Sequence, residues 1–534
     1  MATQWQTFPI EFRGGLISNM SPLQHGTNAV GSATILQNFE PNKEGGYAKI
    51  KGFEKFSTTA VPGSGPILSL KVISSGRIVV ARQNGSNVTE YYYGTGTTWT
   101  SMGARPLLGG KAKHVLYNLD GDDKVIFVDS NNYPATYNTS GNTLTPITGS
   151  TDVLGAENVA VFKNTAFYAK GNNLYFTAPF TVDDFSAANG AGSINVGNDV
   201  TGLVVFRDQL IIFTTSTIKR LTGNTSADFQ VSPITDRIGC VNGDTIQEVG
   251  GDIMYLAPDG IRLLSATDRI GDFGLDIASD SIFKDANTFI NNSSIFSSVL
   301  LREKAQYRIF SYVASEQDST AKGLIATKFV SQGAAGISWA TTKGIKVYVA
   351  DGSYSGSQET IAFANEDGYI YVLDTGSDFD GLPIEAIYES PYMPLSDPQV
   401  RKSFYKMTLY AEPTGSMTLD FNVKYDFGSS TNTGVIQPAT QNIASTGVSV
   451  FIFGESSSNF GQADSNDATQ VDTSWPLYDP TKSYATYGGE LDKIYNTNIV
   501  GSGKTIALRI EDNSTNPTFT LDTALLEFRQ NDRQ

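Results

Sequence analysis

The chain has 534 residues, of which 17% are charged and 11% aromatic, with 52 glycines and a formal net charge of −16. That length exceeds what one hydrophobic core organises, and β-branched and aromatic runs broken by Gly, Asn and Asp are the composition of an all-β protein. The acidic balance disfavours a broad phosphate-backbone or anionic-membrane surface, and there is no apolar run of the roughly 18 residues that a membrane helix needs.

The opening MATQWQTFPIEF has neither the basic nor the apolar region of a secretory signal, so none is expected. Residues 1–60 read as an N-terminal segment with a hairpin. Ala33–Glu40 and Tyr47–Phe53 are strand-like, and Pro41–Gly46 is a turn cluster. Val61-Pro-Gly-Ser-Gly-Pro66 follows as a linker.

Residues 61–390 repeat one theme: a turn, an apolar strand, a second turn and a short strand. It occurs at 74–83, 120–130, 162–179, 206–221, 249–264 and 365–374. The spacing of roughly 40–50 residues predicts a β-propeller of about six or seven blades. The interval 264–365 must hold an irregular or expanded unit. GTGTTW (94–99) and GAAGISW (333–339) share an ending that suits the outer strand of a blade.

Glu389–Pro398 is a proline-rich break, and residues 391–534 read as a C-terminal β-sandwich. Met417, Leu419, Phe421, Val423, Tyr425 and Phe427 alternate with Thr418, Asp420, Asn422, Lys424 and Asp426, the pattern of a strand with one apolar face. Partner strands are expected at 403–411, 504–510 and 519–528, with long polar loops at 429–447 and 455–470.

Near the end stands GSGKT (501–505), the tail of a phosphate-binding loop. The motif requires a glycine where Asn498 stands, and a helix after the Thr. Ile506, Leu508 and Ile510 alternate with Thr505, Ala507 and Arg509 instead, so a strand is expected, with Gly501–Gly503 as a hairpin turn.

Other chemistry is equally sparse. Cys240 alone excludes an internal disulfide framework and a cysteine zinc site, and is read as a small core residue. His25 and His114 are read as solvated or hydrogen-bonded loop residues. The tryptophan stretches lack the acid of a sialidase-type Asp box: Gly94 and Ala334 hold that position. Asp122-Asp123, Asp183-Asp184, Asp378 and Asp380 are carboxylate pairs of the kind used in glycoside hydrolysis, but turn acids more commonly cap backbone N–H groups. Asn118–Asp129 resembles a calcium loop, with Asp123 where glycine is required and Asp129 where Glu is usual. No catalytic, cofactor-binding or metal-binding residue is assigned, no cofactor is expected, and the chain is not expected to be an enzyme.

Phe12-Arg-Gly-Gly-Leu16, Leu36-Gln-Asn-Phe-Glu-Pro-Asn-Lys-Glu-Gly-Gly-Tyr47 and Lys51-Gly-Phe-Glu-Lys-Phe56 form a distinctive opening. It resembles that of tailed-phage virion proteins related to the nozzle, or tail tubular protein B, and to packaged-DNA stabilisation proteins. Gly503–Ile510 and Leu525–Arg529 resemble the closing strands of the same group. The resemblance implies a structural protein of the phage tail or neck, made in the host cytoplasm. It further implies a homo-oligomer, usually a hexamer, that contacts adaptor or portal and tail fibres and lets DNA pass without specific binding. It transfers no catalytic residues. The alternative is a carbohydrate-binding or carbohydrate-cleaving tail protein, for which Tyr91–Tyr93, Trp99 and Trp339 would supply aromatic faces. For a conduit, Asp120, Asp122, Asp123, Asp183, Asp184, Asp378 and Asp380 are candidates to face the lumen and repel the duplex.

Overall fold

The computed structural model describes residues 5–43, 45–74, 76–85, 88–265, 277–331, 334–355, 358–428, 440–445, 451–452, 486–487 and 493–531. Antiparallel sheets dominate it. The first blade is Ile67–Ser74, Arg77–Asn84, Val88–Gly94 and Trp99–Pro106, each strand paired with the next. The second is Lys113–Tyr117, Lys124–Val128, Ala135–Asn138 and Thr143–Pro146. The third and fourth have the same up-and-down order, beginning at Asn158–Phe162 and Val200–Phe206. The fifth has three strands, Gln247–Val249, Asp252–Ala257 and Gly260–Leu263.

The next sector is expanded, as expected from the gap in the sequence repeat. Ile295–Leu301, Gln306–Tyr312, Lys322–Ser331 and Ala334–Lys343 form four strands of a nine-stranded sheet. The last blade is Val349–Ser355, Gln358–Ala364 and Ile370–Leu373. Its fourth strand comes from the far end of the chain: Phe53–Lys55 pairs with Leu373–Tyr371. Six discrete sheets and this expanded sector thus complete a circle, a β-propeller.

Apolar faces of successive blades bury each other. Leu68, Val79, Ala81 and Tyr91 of the first meet Val125, Phe127 and Tyr137 of the second. Ile211 and Phe213 of the fourth meet Ile253 and Tyr255 of the fifth. Val349, Ala362 and Ala364 of the last meet Leu70, Val72 and Val80 of the first, which closes the ring. Blade hairpins are tight. Lys163-Asn164 (φ 48° and 58°) and Arg207-Asp208 (φ 46° and 61°) are left-handed pairs, whose twist matches that of their strands. Their tips also link neighbouring blades: Lys163 pairs with Asp208 at 2.5 Å, and the Arg207 guanidinium donates to the Gly251 carbonyl.

The nine-stranded sheet continues from Ala334–Lys343 through Ile35–Gln37, Ile384–Glu389, Ile506–Ser514 and Met417–Tyr425 to Gln441–Ser445. A second sheet orders Phe39–Pro41, Tyr47–Lys49, Phe519–Gln530, Lys402–Pro413 and Ile494–Asn498, with Gln6–Glu11 also on Phe519–Gln530. Their facing sides share one core, in which Met407, Leu409 and Leu526 meet Leu419, Phe421 and Leu508. This is the C-terminal sandwich. Its strand alternation is as expected: Met417, Leu419, Phe421, Val423 and Tyr425 are all buried.

Three local expectations are corrected. Phe427 does not continue the apolar face. Asp426 and Phe427 take left-handed φ values of 51° and 56°, the strand ends at Tyr425, and the Phe427 ring lies exposed against Tyr392 at 4.2 Å. Gly501–Gly503 is not a hairpin turn. Ile494–Asn498 pairs with Lys402–Pro413, whereas Ile506–Ser514 pairs with Met417–Tyr425, so the glycines carry the chain from one sheet to the other. The loop expected at 429–447 contains the strand Gln441–Ser445; the loop expected at 455–470 lies outside the described residues.

Candidate functional site

Residues near the starts of the second to fifth blades, of the expanded sector and of the last blade line a half-open cavity of about 220 Å³ near the propeller axis. Lys111, Lys113 and His114 come from the second blade, Asn158 from the third, Gly202 from the fourth and Asp244 from the turn before the fifth. Ser297 and Ser298 come from the expanded sector and Asp351 from the last blade. The propeller itself therefore collects charges that stand far apart in the chain.

Two carboxylates organise the lining. Asp244 Oδ2 accepts from Lys111 Nζ at 3.1 Å, and its Oδ1 lies 3.7 Å from Lys113 Nζ. Lys111 also donates to the Phe296 carbonyl (2.6 Å) and Ser297 Oγ (2.8 Å). Lys113 donates to Asn158 Oδ1 and the Thr201 carbonyl, both at 2.9 Å. Asp351 Oδ2 accepts from Lys71 Nζ (2.9 Å) and the Val72 N–H (2.8 Å), and its Oδ1 faces His114 Nε2 at 3.2 Å. Gly243 must be glycine for this packing: a Cβ would fall 2.0 Å from the Thr201 carbonyl oxygen and 2.6 Å from Lys113 Nζ.

Burial would raise both carboxyls. For Asp351 the charge of Lys71 and the hydrogen bond from His114 outweigh it, and for Asp244 the charges of Lys111 and Lys113 do, so both sit below the usual carboxylate range. Burial also lowers the Lys111 ammonium, against the pull of Asp244.

The residues weighed in the sequence fall elsewhere. Among the described residues no group of His, Cys, Asp or Glu has a metal-holding arrangement. Asn118 Oδ1 accepts from the Gly121 N–H at 2.8 Å, its amide donates to Asp123, and Asp120 pairs with Lys124, so Asp120 and Asp123 are spent on the turn itself. Asp184 accepts from the Ser186 N–H and from Asn189, Asp378 from the Gly381 N–H, and Asp380 pairs with Lys55. None of the seven acids named as lumen candidates lines the axial cavity. At GSGKT, the N–H groups of Lys504 and Thr505 donate to Asp426 Oδ1 at 2.6 and 2.9 Å, so a carboxylate of the chain holds the anion position. Cys240 is a buried core residue whose thiol burial pushes up to about 11. His25 is buried in the helix Pro22–Asn28 and meets Ser32 Oγ at 2.7 Å. His114 lies on a blade strand and not in a loop. Tyr91, Tyr92 and Trp339 are buried, and half-buried Trp99 donates to the Thr59 carbonyl.

Sequence reading missed the axial cavity. Lys71, His114, Asp244 and Asp351 have no mutual spacing in the chain, and only the repeat, which marks where each blade begins, could have flagged them.

The fold defines an all-β chain, a β-propeller joined to a β-sandwich. No protein-family model and no curated protein matches the sequence. Among solved structures it is similar to the extracellular domain of a hybrid two-component system from B. thetaiotaomicron. That likeness has 12% identity and a TM-score of 0.36, over 59% of this chain and 40% of that one.

Proposed function

We propose that the chain is a structural component of a tailed-phage virion, a nozzle or portal-proximal plug or neck ring through which genomic DNA is retained and ejected. One observation carries the reading: the residues of the distinctive opening are those that lock propeller to sandwich. Gly15 (φ 68°) lies so close to the expanded sector that a Cβ would be 2.8 Å from Trp339 N. Its N–H donates to Tyr47 Oη at 3.0 Å, and that hydroxyl donates to the Gly31 carbonyl at 2.9 Å. Phe12 packs edge-on to Tyr388 at 4.9 Å. A Cβ at Gly52 would fall 1.6 Å from the Asp378 carbonyl oxygen, and Phe53 stacks on Phe379 at 5.0 Å. This is a motif of assembly geometry, which suits a scaffold.

In this reading the axis of one propeller is not the DNA path, since the charged network narrows it to a cavity of about 220 Å³, far too small for a duplex. The path runs between copies of the chain, and the turn acids are candidates to face it. Partners are further copies, adaptor or portal, and tail fibres. The carbohydrate alternative loses most of its aromatic platform to burial. Negative-stain imaging of the purified chain, with and without its portal-side partner, tests the reading. A closed ring, six-fold by expectation, supports it; a monomer under both conditions overturns it.

A further inference from the structure

The N-terminal segment holds a nucleophile and a base that the scaffold reading does not use. Ser32 and His25 are both buried, and Ser32 Oγ lies 2.7 Å from His25 Nε2 and 2.5 Å from the Ala29 carbonyl oxygen. The helix Pro22–Asn28 and the turn after it set this up: the Ala29 N–H donates to the His25 carbonyl, and the Ser32 N–H to that of Ala29. Burial lowers His25, so its ring is neutral and one nitrogen is a bare acceptor. With that acceptor at Nε2 the ring takes the Ser32 hydroxyl proton; in the other tautomer Nε2 donates, and the hydroxyl rests on Ala29.

The peptide bond just before Ser32 is already polarised. The Gly31 carbonyl oxygen accepts from Tyr47 Oη at 2.9 Å and from the Arg13 N–H at 3.2 Å. The Tyr47 oxygen itself accepts the Gly15 N–H at 3.0 Å, which aims its own proton at Gly31, and burial keeps the phenol protonated. Two donors converging on one carbonyl oxygen are the arrangement that stabilises an oxyanion. Gly31 is pinned in place: at φ 92°, a Cβ would fall 1.8 Å from the Glu11 carbonyl oxygen. Nucleophile, base and oxyanion donors therefore surround a single bond, Gly31–Ser32. The serine hydroxyl reaches the carbonyl ahead of it through the small ring closed by its own side chain, so attack is intramolecular.

We propose that the chain cleaves itself between Gly31 and Ser32. Ser32 Oγ adds to the Gly31 carbonyl carbon while His25 Nε2 takes the hydroxyl proton, and Tyr47 and the Arg13 N–H hold the oxyanion. The carbon–nitrogen bond then breaks, His25 returns the proton to the Ser32 nitrogen, and an ester joins Gly31 to Ser32 Oγ. One water hydrolyses that ester, which leaves a Gly31 carboxylate and a free Ser32 amine. Nothing larger than water has to enter, and the chain meets solvent on either side of the bond, partly at Val30 and fully at Thr34. The severed segment stays docked, since Gln6–Glu11 remains paired with Phe519–Gln530. The reaction is a single self-directed turnover that needs one chain and is independent of ring formation.

Because the pieces stay together, the test is denaturing. The purified full chain is incubated at neutral pH, with and without dilute hydroxylamine, and followed by denaturing electrophoresis and intact-mass spectrometry. A product that begins at Ser32 is expected, formed faster in hydroxylamine, which captures the ester as a Gly31 hydroxamate. Ser32→Ala should give no such product, and Ser32→Cys should restore it through a thioester. His25→Gln and Tyr47→Phe should each slow the reaction about a hundredfold, the worth of a general base and of one oxyanion donor. A chain that stays intact through prolonged incubation with hydroxylamine would overturn the assignment, as would cleavage after Gly31 that persists in Ser32→Ala. The wild-type series decides on its own if a variant fails to fold.

Discussion

Lys49 and Asp512 lie 2.7 Å apart with side chains sealed from water, and Lys49 also donates to the carbonyls of Ser514 and Asn516. Such a pair gains little over a well-packed apolar pair, but losing one partner strands the other charge. Asp512→Leu is expected to destabilise by about 3–5 kcal/mol, and Lys49→Met with Asp512→Leu to recover most of that loss; urea denaturation of the single and double variants checks it. The axial acids set a pH dependence. Asp244 and Asp351 titrate below their unfolded value of about 3.9. Their contribution is therefore complete above that pH and is lost as pH falls through the lower folded values. Asp351→Asn should lower the melting temperature at neutral pH and flatten its acid dependence; an unchanged profile would refute the role. At this scale the sequence was hard to read, because the partner of Lys49 lies at the other end of the chain.

Strands were easier to read, because a face exposed to water on one side and a core on the other writes itself as a period of two. Met417–Tyr425 is the clearest case. The period could not show where the face ends: nothing in the alternation of Asp426 and Phe427 signals their left-handed turn. Leu419 is fully buried between the two sandwich sheets. Leu419→Ala is expected to cost about 2–5 kcal/mol, and Leu419→Asp to prevent the sandwich from folding. A soluble, cooperatively melting Leu419→Asp protein would contradict this. The N-terminal strands are equally integral, since Phe53–Lys55 completes a blade and Gln6–Glu11 and Tyr47–Lys49 join the sandwich. Deleting residues 1–56 strips strands from three sheets, the last blade and both sheets of the sandwich, and the open edges invite aggregation. Size-exclusion chromatography and melting of the deletion variant should show aggregates, and an unchanged elution and melting curve would count against it.

At the scale of the whole molecule, the repeat announced the propeller, and the change of period after the proline-rich break announced the sandwich. Their interweaving was illegible, because pairing between distant strands leaves no local mark. The proposed conduit makes a solution prediction: with a charge of −16 and most of its turn acids exposed, the purified chain should not retain duplex DNA at physiological salt. Tight binding in a filter or mobility assay would remove the basis for an acidic lumen. ATP should also fail to bind, because Asp426 holds the Lys504 and Thr505 N–H groups. Micromolar Mg-ATP binding that Lys504→Ala abolishes would overturn that reading.

The pairing of Gln6–Glu11 with Phe519–Gln530 has a consequence for synthesis. Gln6–Glu11 leaves the ribosome long before its partner, so it waits unpaired while the intervening chain is made. Phe53–Lys55 waits a shorter time, until Ile370–Leu373 emerges. The ring of blades can therefore close while the sandwich still lacks its final strands. Folding then has a defined order, propeller before sandwich, and a ribosome stalled before residue 519 should present a closed ring with a dangling N-terminus. Limited proteolysis of such a nascent chain should trim Gln6–Glu11 and spare the residues from Phe53 to Leu373.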